Sequence, residues 1–346
     1  MLDFLVDQFA GDSVDEALFR LQSEADQAMS DGSFFVSQPT DDRLKPTNDF
    51  IVTGTSTVSF FGEMPAHEYH QRHDAVSKSM IGTFKQDGRR VYQSKFITHD
   101  MPSDSHTKST KIGDMVHAVL LEPSRIADFS IIPNELLAVN GAASTKEAKA
   151  YKKEAEANGK VVCKADEWAL MSGMVKSFKK AFGQWLDLDS KKENAIFWTC
   201  PETGLLLKCR PDWLIVRDGW AAVFDIKTCL SAHPLAFRKA CEDYDYGIQQ
   251  AHYLEGVKAA LGIDNVEFFF LAVENEFPYR CAPYRIRHDS VLESNKLRRK
   301  LLNEIKQCNE TGDWSETWEP KQGQAIQELP LRRWSFEMGF DDATKG

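Results

Sequence analysis

The sequence lacks the features that would place it in several common classes of protein. Its 346 residues contain no apolar run near the roughly 20 residues of a transmembrane helix. The N-terminal stretch carries acidic residues where a signal peptide has a basic flank and a long apolar segment. None of the seven cysteines forms a C-x-x-C pair, so no disulfide framework, zinc site or iron–sulfur site is indicated. We therefore expect a globular, cytoplasmic protein with reduced cysteines and no membrane partner.

The sequence also lacks an excess of positive charge. It has 42 Lys and Arg against 52 Asp and Glu, a formal net charge of −10. This balance argues at first against a polyanion as partner. Phosphate contact depends on locally positive surface, however, so an acidic exterior can coexist with a basic binding channel.

Composition divides the chain into three parts. Residues 1–55 are acidic and rich in Ser and Thr, with one short helical pattern; we interpret them as an N-terminal arm or a small extra segment of unknown function. The density of apolar and aromatic residues then rises, which predicts one main domain over residues 56–330. Residues 331–346 are a C-terminal tail. Within the domain, helical patterns alternate with short strand patterns, which predicts an α/β (α+β) fold with a central mixed sheet flanked by helices.

One hairpin in this domain contains unusual charges. Apolar runs at Trp213–Val216 and Trp220–Phe224 are joined by Asp218-Gly219, a pair typical of tight hairpin turns. Residues whose numbers sum to about 437 lie opposite each other across such a turn. Asp212 and Asp225 are therefore predicted neighbours at the open end of the hairpin.

Two facing carboxylates repel each other unless a cation lies between them. Hard oxygen ligands suit Mg²⁺ or Mn²⁺ rather than zinc. Lys227 follows Asp225 by two positions, so both project from the same face of the strand. A lysine there can orient a water molecule beside a metal-bound phosphate. The alternative is a structural salt bridge between Lys227 and one aspartate.

The hairpin stands among further motifs that decide between these interpretations. In chain order they are EYHQRHDAVSKSMIGTF, GDMVHAVLLEPSRI, ANGKVV, LLKCRPDWL, DIKT and YGIQQAHY. Together they resemble the exonuclease VIII (RecE-like) family of phage recombination exonucleases, within the PD-(D/E)-x-K nuclease superfamily. The resemblance covers about residues 57–330 and implies a restriction-endonuclease-like core.

The resemblance implies a role for each matching residue of the hairpin. Asp212, Asp225 and the backbone carbonyl of Ile226 match metal ligands, and Lys227 matches the catalytic lysine. The family pattern G-x-x-x-H-x-x-x-L-E-P makes His117 a further metal ligand. Without the resemblance, a lone histidine in an apolar helix is more often structural.

The pattern Y-x-x-Q-x-x-x-Y falls on Tyr246, Gln249 and Tyr253. The resemblance implies that Gln249 helps to hold the water or the scissile phosphate. The adjacent Gln250 is the alternative if the pattern is displaced by one position.

The stretch RHDAVSKS is a candidate phosphate site. Ser77 is a good N-cap for the helix that follows, and a helix N-terminus beside Arg72, Lys78 and Ser79 suits a phosphate. The resemblance implies a terminal 5′ phosphate as its ligand. Ser77 could equally be a helix cap with no further function.

The facing carboxylates and the resemblance together imply a nuclease that uses one or two Mg²⁺ or Mn²⁺ ions. The resemblance alone implies that it is an exonuclease that resects one strand of double-stranded DNA from its 5′ end. The resemblance also implies a ring-shaped homo-oligomer on DNA ends and a single-strand annealing (RecT-like) partner. The alternatives are a restriction-like or CRISPR-associated nuclease, or a catalytically silent DNA-binding or anti-restriction module.

Overall fold

The computed structural model of the protein describes residues 57–101, 108–186, 190–217, 219–316 and 318–319. The predicted N-terminal arm, the C-terminal tail and Asp218 of the hairpin turn lie outside the described residues.

The described residues contain nine α-helices. They are α1 (Ala66–Gln71), α2 (Lys78–Gln86), α3 (Arg89–Phe96), α4 (Lys108–Leu121), α5 (Lys146–Ala157), α6 (Ala165–Leu186), α7 (Pro234–Asp243), α8 (Tyr246–Leu261) and α9 (His288–Thr311). Short 3-10 turns lie at Pro123–Asp128 and Asn134–Leu136. No helix in this part of the chain combines the length and the hydropathy of a membrane span.

The strands of the described residues form three sheets. They are β1 (Thr57–Glu63), β2 (Phe129–Ile131), β3 (Val161–Cys163), β4 (Lys191–Lys192), β5 (Asn194–Thr199), β6 (Leu206–Cys209), β7 (Trp213–Arg217), β8 (Trp220–Cys229), β9 (Val266–Glu274) and β10 (Cys281–Tyr284). The largest sheet has the strand order β10-β9-β8-β7-β4, beside a three-stranded sheet β1-β5-β6 and a pair β2-β3.

The largest sheet is mixed, as the sequence predicts. Strand β8 pairs antiparallel with β7 and parallel with β9. It extends five residues beyond the predicted end at Phe224, because its parallel pairing with β9 continues to Cys229. Strand β8 therefore lies in the middle of the sheet, between two partners.

Both faces of this sheet are buried by helices, which confirms the predicted α/β architecture. Ala221 and Val223 of β8 pack into a cluster that includes residues of α8 and α9. Ala222, Phe224 and Ile226 point to the opposite face, in a cluster with residues of α4 and α6. The period of two along β8 thus assigns alternate side chains to two separate cores.

A buried ion pair joins helices α8 and α9. Arg298 is fully buried and bonds to the carboxylate of Glu255, which also accepts a hydrogen bond from Trp198 Nε1 at 3.0 Å. His252 lies 3.3 Å from the same guanidinium. Every buried charge in this group has a partner. The Arg298–Glu255 ion pair therefore links α8 to α9 in one arrangement.

We expect Arg298→Met to lower the free energy of unfolding by about 3–5 kcal/mol, because it leaves the Glu255 carboxylate buried without a counter-ion. The double variant Arg298→Met/Glu255→Gln should recover part of this loss. The half-exposed pair of Arg299 with Glu202 provides the control, since Arg299→Met should cost less than about 1 kcal/mol. Urea unfolding of the three variants measures these differences. Equal losses for Arg298→Met and Arg299→Met would contradict the prediction.

Candidate active site

The hairpin β7–β8 brings Asp212, which precedes β7, close to Asp225 in the middle of β8. Trp213 lies opposite Phe224, and the pairing continues to Arg217 opposite Trp220. The numbers of opposite residues sum to 437, as predicted. Gly219 turns the chain with a positive φ of 77°. Asp212 and Asp225 lie one residue beyond the Trp213–Phe224 pair, and both are buried.

Asp225 and Lys227 share the face of β8 that helix α8 covers. Lys227 Nζ lies 2.5 Å from Asp225 Oδ2, and Gln249 Nε2 donates to Asp225 Oδ1 at 2.5 Å. The Lys227 ammonium also lies 4.8 Å from the centre of the Tyr246 ring. Of the two adjacent glutamines, Gln249 is therefore the one that contacts Asp225.

This contact pattern explains the spacing Y-x-x-Q. Tyr246 and Gln249 are three positions apart on α8 and so share one side of the helix. The ring holds the ammonium through a cation–π contact, while the amide holds the neighbouring carboxylate. The predicted salt bridge between Lys227 and an aspartate is present, and it lies within a larger polar group.

Lys227 carries its positive charge in this setting. Burial lowers the pKa of Lys227, but the Asp225 carboxylate and smaller contributions from Tyr246 and Asp212 together raise it above the ordinary value. A protonated ammonium donates hydrogen bonds and cannot act as a base. Lys227 is therefore equipped to bind and orient a water molecule or a phosphate oxygen.

Helix α4 delivers His117 from the opposite face of the sheet. Gly113 permits this approach, since a Cβ atom there would lie 3.3 Å from Thr228 Oγ1 of β8. One turn later, His117 Nε2 lies 3.1 Å from the Ile226 carbonyl oxygen. His117 Nδ1 lies 3.4 Å from Asp212 Oδ2. The histidine thus contacts both Asp212 and the Ile226 carbonyl, which the resemblance groups with it as metal ligands.

Asp212 is held in place by the backbone of β8. The Ile226 N–H donates to Asp212 Oδ2 at 2.7 Å. Burial raises the pKa of Asp212 to about 6, with a further increase from Asp225 that is opposed by His117 and Lys227. A nearby cation would favour the charged form that burial disfavours.

The structure adds Glu193, which the sequence interpretation missed. Ligand atoms of Glu193, His117 and Asp212 all lie within 4.8 Å of one another. Burial, followed by the charge of Asp212, raises the pKa of Glu193 to about 8. Glu193 follows two lysines at a strand boundary, so the linear sequence resembles an exposed charged turn. Its proximity to Asp212 depends on long-range strand pairing.

These donors fit a divalent cation. One imidazole nitrogen and two carboxylate oxygens converge, with the Ile226 carbonyl beside them. Mg²⁺ and Mn²⁺ favour carboxylate, carbonyl and water oxygens, and Mn²⁺ also accepts imidazole. A cation would also relieve the repulsion between the carboxylates of Asp212 and Glu193. The group is therefore a chemically suitable metal site.

A cavity of about 440 Å³ lies beside Lys227 and Gln249. Its other lining residues are Tyr69, His70, His73, Ser77, Lys78, Ser79, Met80, Phe96, Lys208 and Tyr253. The lining contains three lysines and two histidines but no carboxylate. Burial lowers the pKa of both Lys78 and Lys208 to about 8, so each is still largely charged at neutral pH. The lining is suited to an anion.

Three of the four residues predicted to bind phosphate line this cavity. Ser77 caps α2 by accepting from the Met80 N–H at 3.3 Å, and its hydroxyl lies 2.9 Å from that of Ser79. Lys78 Nζ donates to the Tyr244 carbonyl at 2.7 Å. Arg72 is placed differently. Its guanidinium makes two 2.7 Å bonds to Asp74 and is not among the lining residues.

Arg72 is diverted because Asp74, two positions along, supplies a bidentate partner at close range. His70, His73 and Lys208 occupy the cavity wall instead. Lys208 comes from β6, far away in sequence, and is held by a 2.6 Å bond to the Tyr69 carbonyl. The only feature of the sequence that could have indicated Lys208 is its position within the short apolar strand β6.

Comparisons with known proteins identify the family. A sequence profile described as "PDDEXK-like domain of unknown function (DUF3799)" matches residues 77–322. No curated protein matches the chain. A crystal structure of a "Putative exonuclease" from Eubacterium rectale is similar with a TM-score of 0.48 and 14% identity, covering 80% of this chain and 99% of that one. The structure of SSO0001 has a TM-score of 0.23 and 13% identity, covering 55% and 86%.

These two structures are distant likenesses, and the family assignment rests on the profile match. The match spans more than half of the chain and includes the hairpin with Asp212, Asp225 and Lys227, as well as His117 and Gln249. With its mixed sheet flanked by helices, the chain has a restriction-endonuclease-like core and belongs to the PDDEXK-like domain family DUF3799 of the PD-(D/E)-x-K nuclease superfamily.

Proposed function

We propose that this protein is a metal-dependent exodeoxyribonuclease of the RecE-like type. It resects one strand of double-stranded DNA from the 5′ end and leaves 3′ single-stranded overhangs for recombination by strand annealing. The family supports nuclease chemistry, and the order of the motifs along the chain supports the RecE-like assignment.

One observation carries the proposal. A group of metal-binding donors and a charged lysine meet beside the middle of β8, next to a cavity whose lining includes lysines and no carboxylate. Phosphodiester hydrolysis needs all three: a cation site, a group that orients water, and a positive surface for the phosphate. A protein that only binds DNA has no need of the first two.

The residues divide the chemistry between them. When bound at His117, Asp212, Asp225 and the Ile226 carbonyl, one or two Mg²⁺ or Mn²⁺ ions supply positive charge that stabilises the phosphate and the leaving oxygen during displacement. The Lys227 ammonium donates a hydrogen bond to the attacking water and favours its deprotonated form. Gln249 holds Asp225 through its amide nitrogen and has its amide oxygen left to accept from the water.

We also propose that the cavity receives the terminal 5′ phosphate of the DNA. The N-terminus of α2 lies there with the hydroxyls of Ser77 and Ser79, and Lys78 and Lys208 add positive charge. Backbone N–H groups and the helix dipole favour a phosphate at such a position. A phosphate held there is close to Lys227 and Gln249, which line the same cavity.

This placement predicts a preference for 5′-phosphorylated ends over 5′-hydroxyl ends. A charge-assisted contact contributes roughly 1.5–3 kcal/mol, which corresponds to a rate ratio of about ten- to a hundredfold. Lys78→Met should remove most of this preference and leave the slow rate on hydroxyl ends unchanged. Single-turnover rates on linear duplexes with the two kinds of end measure the effect.

Arg72→Gln is the matched control, because Arg72 bonds to Asp74 outside the cavity. It should keep the full preference. Equal rates of wild-type enzyme on both kinds of end would contradict the phosphate assignment and leave Ser77 as a helix cap alone. Loss of the preference in Arg72→Gln would show that Arg72 binds the terminal phosphate, as the sequence analysis predicted.

The proposal includes a ring-shaped homo-oligomer on DNA ends, a RecT-like annealing partner and a cytoplasmic location. The RecE-like resemblance supports all three. A ring would repeat the basic cavity of each subunit by symmetry, which would reconcile DNA binding with the net charge of −10. Light scattering of the purified protein gives the number of subunits.

A plasmid assay distinguishes this function from its alternatives. An exonuclease degrades linear duplex and spares covalently closed circles, whereas a restriction-like or CRISPR-associated endonuclease cuts both forms. A silent DNA-binding or anti-restriction module shifts the mobility of DNA without degrading it. We expect degradation of the linear form alone, in the presence of Mg²⁺ or Mn²⁺.

A further inference from the structure

Glu193 occupies an unusual position next to the predicted metal ligands. It lies between β4 and β5 and has a φ of 54°, in the left-handed region that non-glycine residues rarely adopt. Its N–H donates to the Asp212 carbonyl oxygen at 3.2 Å. The unusual backbone therefore attaches Glu193 directly to the residue that opens the catalytic hairpin.

Arg210 fixes the other side of Glu193. The arginine Nε donates to the Glu193 carbonyl oxygen at 3.0 Å and also lies 3.0 Å from carboxylate oxygen Oε2. The Arg210 guanidinium also lies 3.8 Å from Glu122, a carboxylate outside the metal-ligand group. Arg210 thus limits the freedom of the Glu193 side chain while contacting one oxygen of its carboxylate. A carboxylate has two oxygens with about four acceptor sites, so this contact leaves capacity for a metal.

The two halves of the site hold their carboxylates differently. Asp225 is bonded to Lys227 and Gln249. Glu193, in contrast, has its ligand atom within 4.8 Å of those of His117 and Asp212. A cation placed among these three meets donors of the type that Mn²⁺ accepts.

We propose that Glu193 is a further protein ligand of the divalent cation, together with His117 and Asp212. The inference rests on the proposed metal-dependent function and adds a residue that the sequence motifs do not contain. Arg210 is then a positioning residue, which holds the Glu193 carboxylate toward His117 and Asp212. The competing explanation is that Glu193 serves only as the counter-ion of Arg210.

Mn²⁺ binding to the full chain without DNA separates the two explanations. Glu193→Gln keeps the size of the side chain and an oxygen for Arg210 but removes the negative charge. Binding of Mn²⁺, measured by electron paramagnetic resonance and calorimetry, should weaken at least about tenfold, as for loss of a metal-supporting contact. Glu122→Gln, the control on the other side of Arg210, should bind Mn²⁺ as the wild type does.

A second variant guards against loss of folding. Glu193→Asp keeps the charge on a shorter side chain and should also bind Mn²⁺ more weakly than the wild type, with an unchanged melting temperature in EDTA. Wild-type affinity in Glu193→Gln or Glu193→Asp would overturn the inference, as would equal weakening in Glu122→Gln. Absence of Mn²⁺ binding by the wild type would instead overturn the proposed function and the inference with it.

Discussion

Asp212→Asn and Asp225→Asn should each give a folded protein with almost no nuclease activity. Each substitution removes a carboxylate from the proposed cation site, where preorganised charge stabilises the transition state. Loss of one such group commonly costs at least about a hundredfold in rate. The melting temperature in EDTA should hold or rise for Asp212→Asn, because burial disfavours the charge that is removed.

The measurement is the rate of degradation of linear duplex in Mg²⁺, together with the melting temperature of each variant. Asp243→Asn is a suitable control, since Asp243 is an exposed carboxylate that pairs with Lys239 on the surface of α7. It should retain wild-type activity. Near wild-type cleavage by Asp212→Asn or Asp225→Asn would show that the metal site has been assigned to the wrong residues.

Lys227→Met should lose most of its cleavage rate while it still binds DNA and metal. The ammonium is proposed to act on the attacking water, so its removal affects the chemical step more than the binding of substrate. The variant should also be less stable in EDTA by on the order of 1–3 kcal/mol, because Asp225 loses a close partner in a buried setting. Gln249 remains as the second partner of Asp225.

DNA affinity is measured by mobility shift with Ca²⁺ in place of Mg²⁺, and the rate is measured under single-turnover conditions. Lys239→Met provides the control from an exposed lysine. A loss of DNA affinity as large as the loss of rate would make Lys227 a phosphate anchor. Its role in orienting water would then have to be abandoned.

The pairing of β7 with β8 follows from the sequence because the information there is local. A tight turn and the period of two determine which residues face each other in the hairpin. The observed pairing, in which the numbers of opposite residues sum to 437, therefore follows from Gly219 and its flanking strands. Gln249, whose role only the resemblance implied, lies beside Asp225 through tertiary packing. The true length of β8 did not follow, since it depends on pairing with β9.

The surroundings of the site depend on contacts between distant segments, and the sequence predicts them less well. Glu193 reaches Asp212 through strand pairing that leaves no motif in the chain. Lys208 enters the cavity from β6 for a similar reason. Arg72 shows the opposite case, because a neighbour only two positions away, Asp74, binds its guanidinium. Composition alone does not show that Arg72 binds Asp74 rather than a phosphate.

The most direct test of the proposed function follows a linear duplex labelled at either its 5′ or its 3′ ends, incubated with Mg²⁺ or with EDTA. We predict that label at the 5′ end is released first as mononucleotide, that label at the 3′ end stays on long strands, and that EDTA stops both. Early release of the 3′ label, internal fragments from either substrate, or undiminished cleavage in EDTA would contradict the proposed 5′-directed, metal-dependent exonuclease.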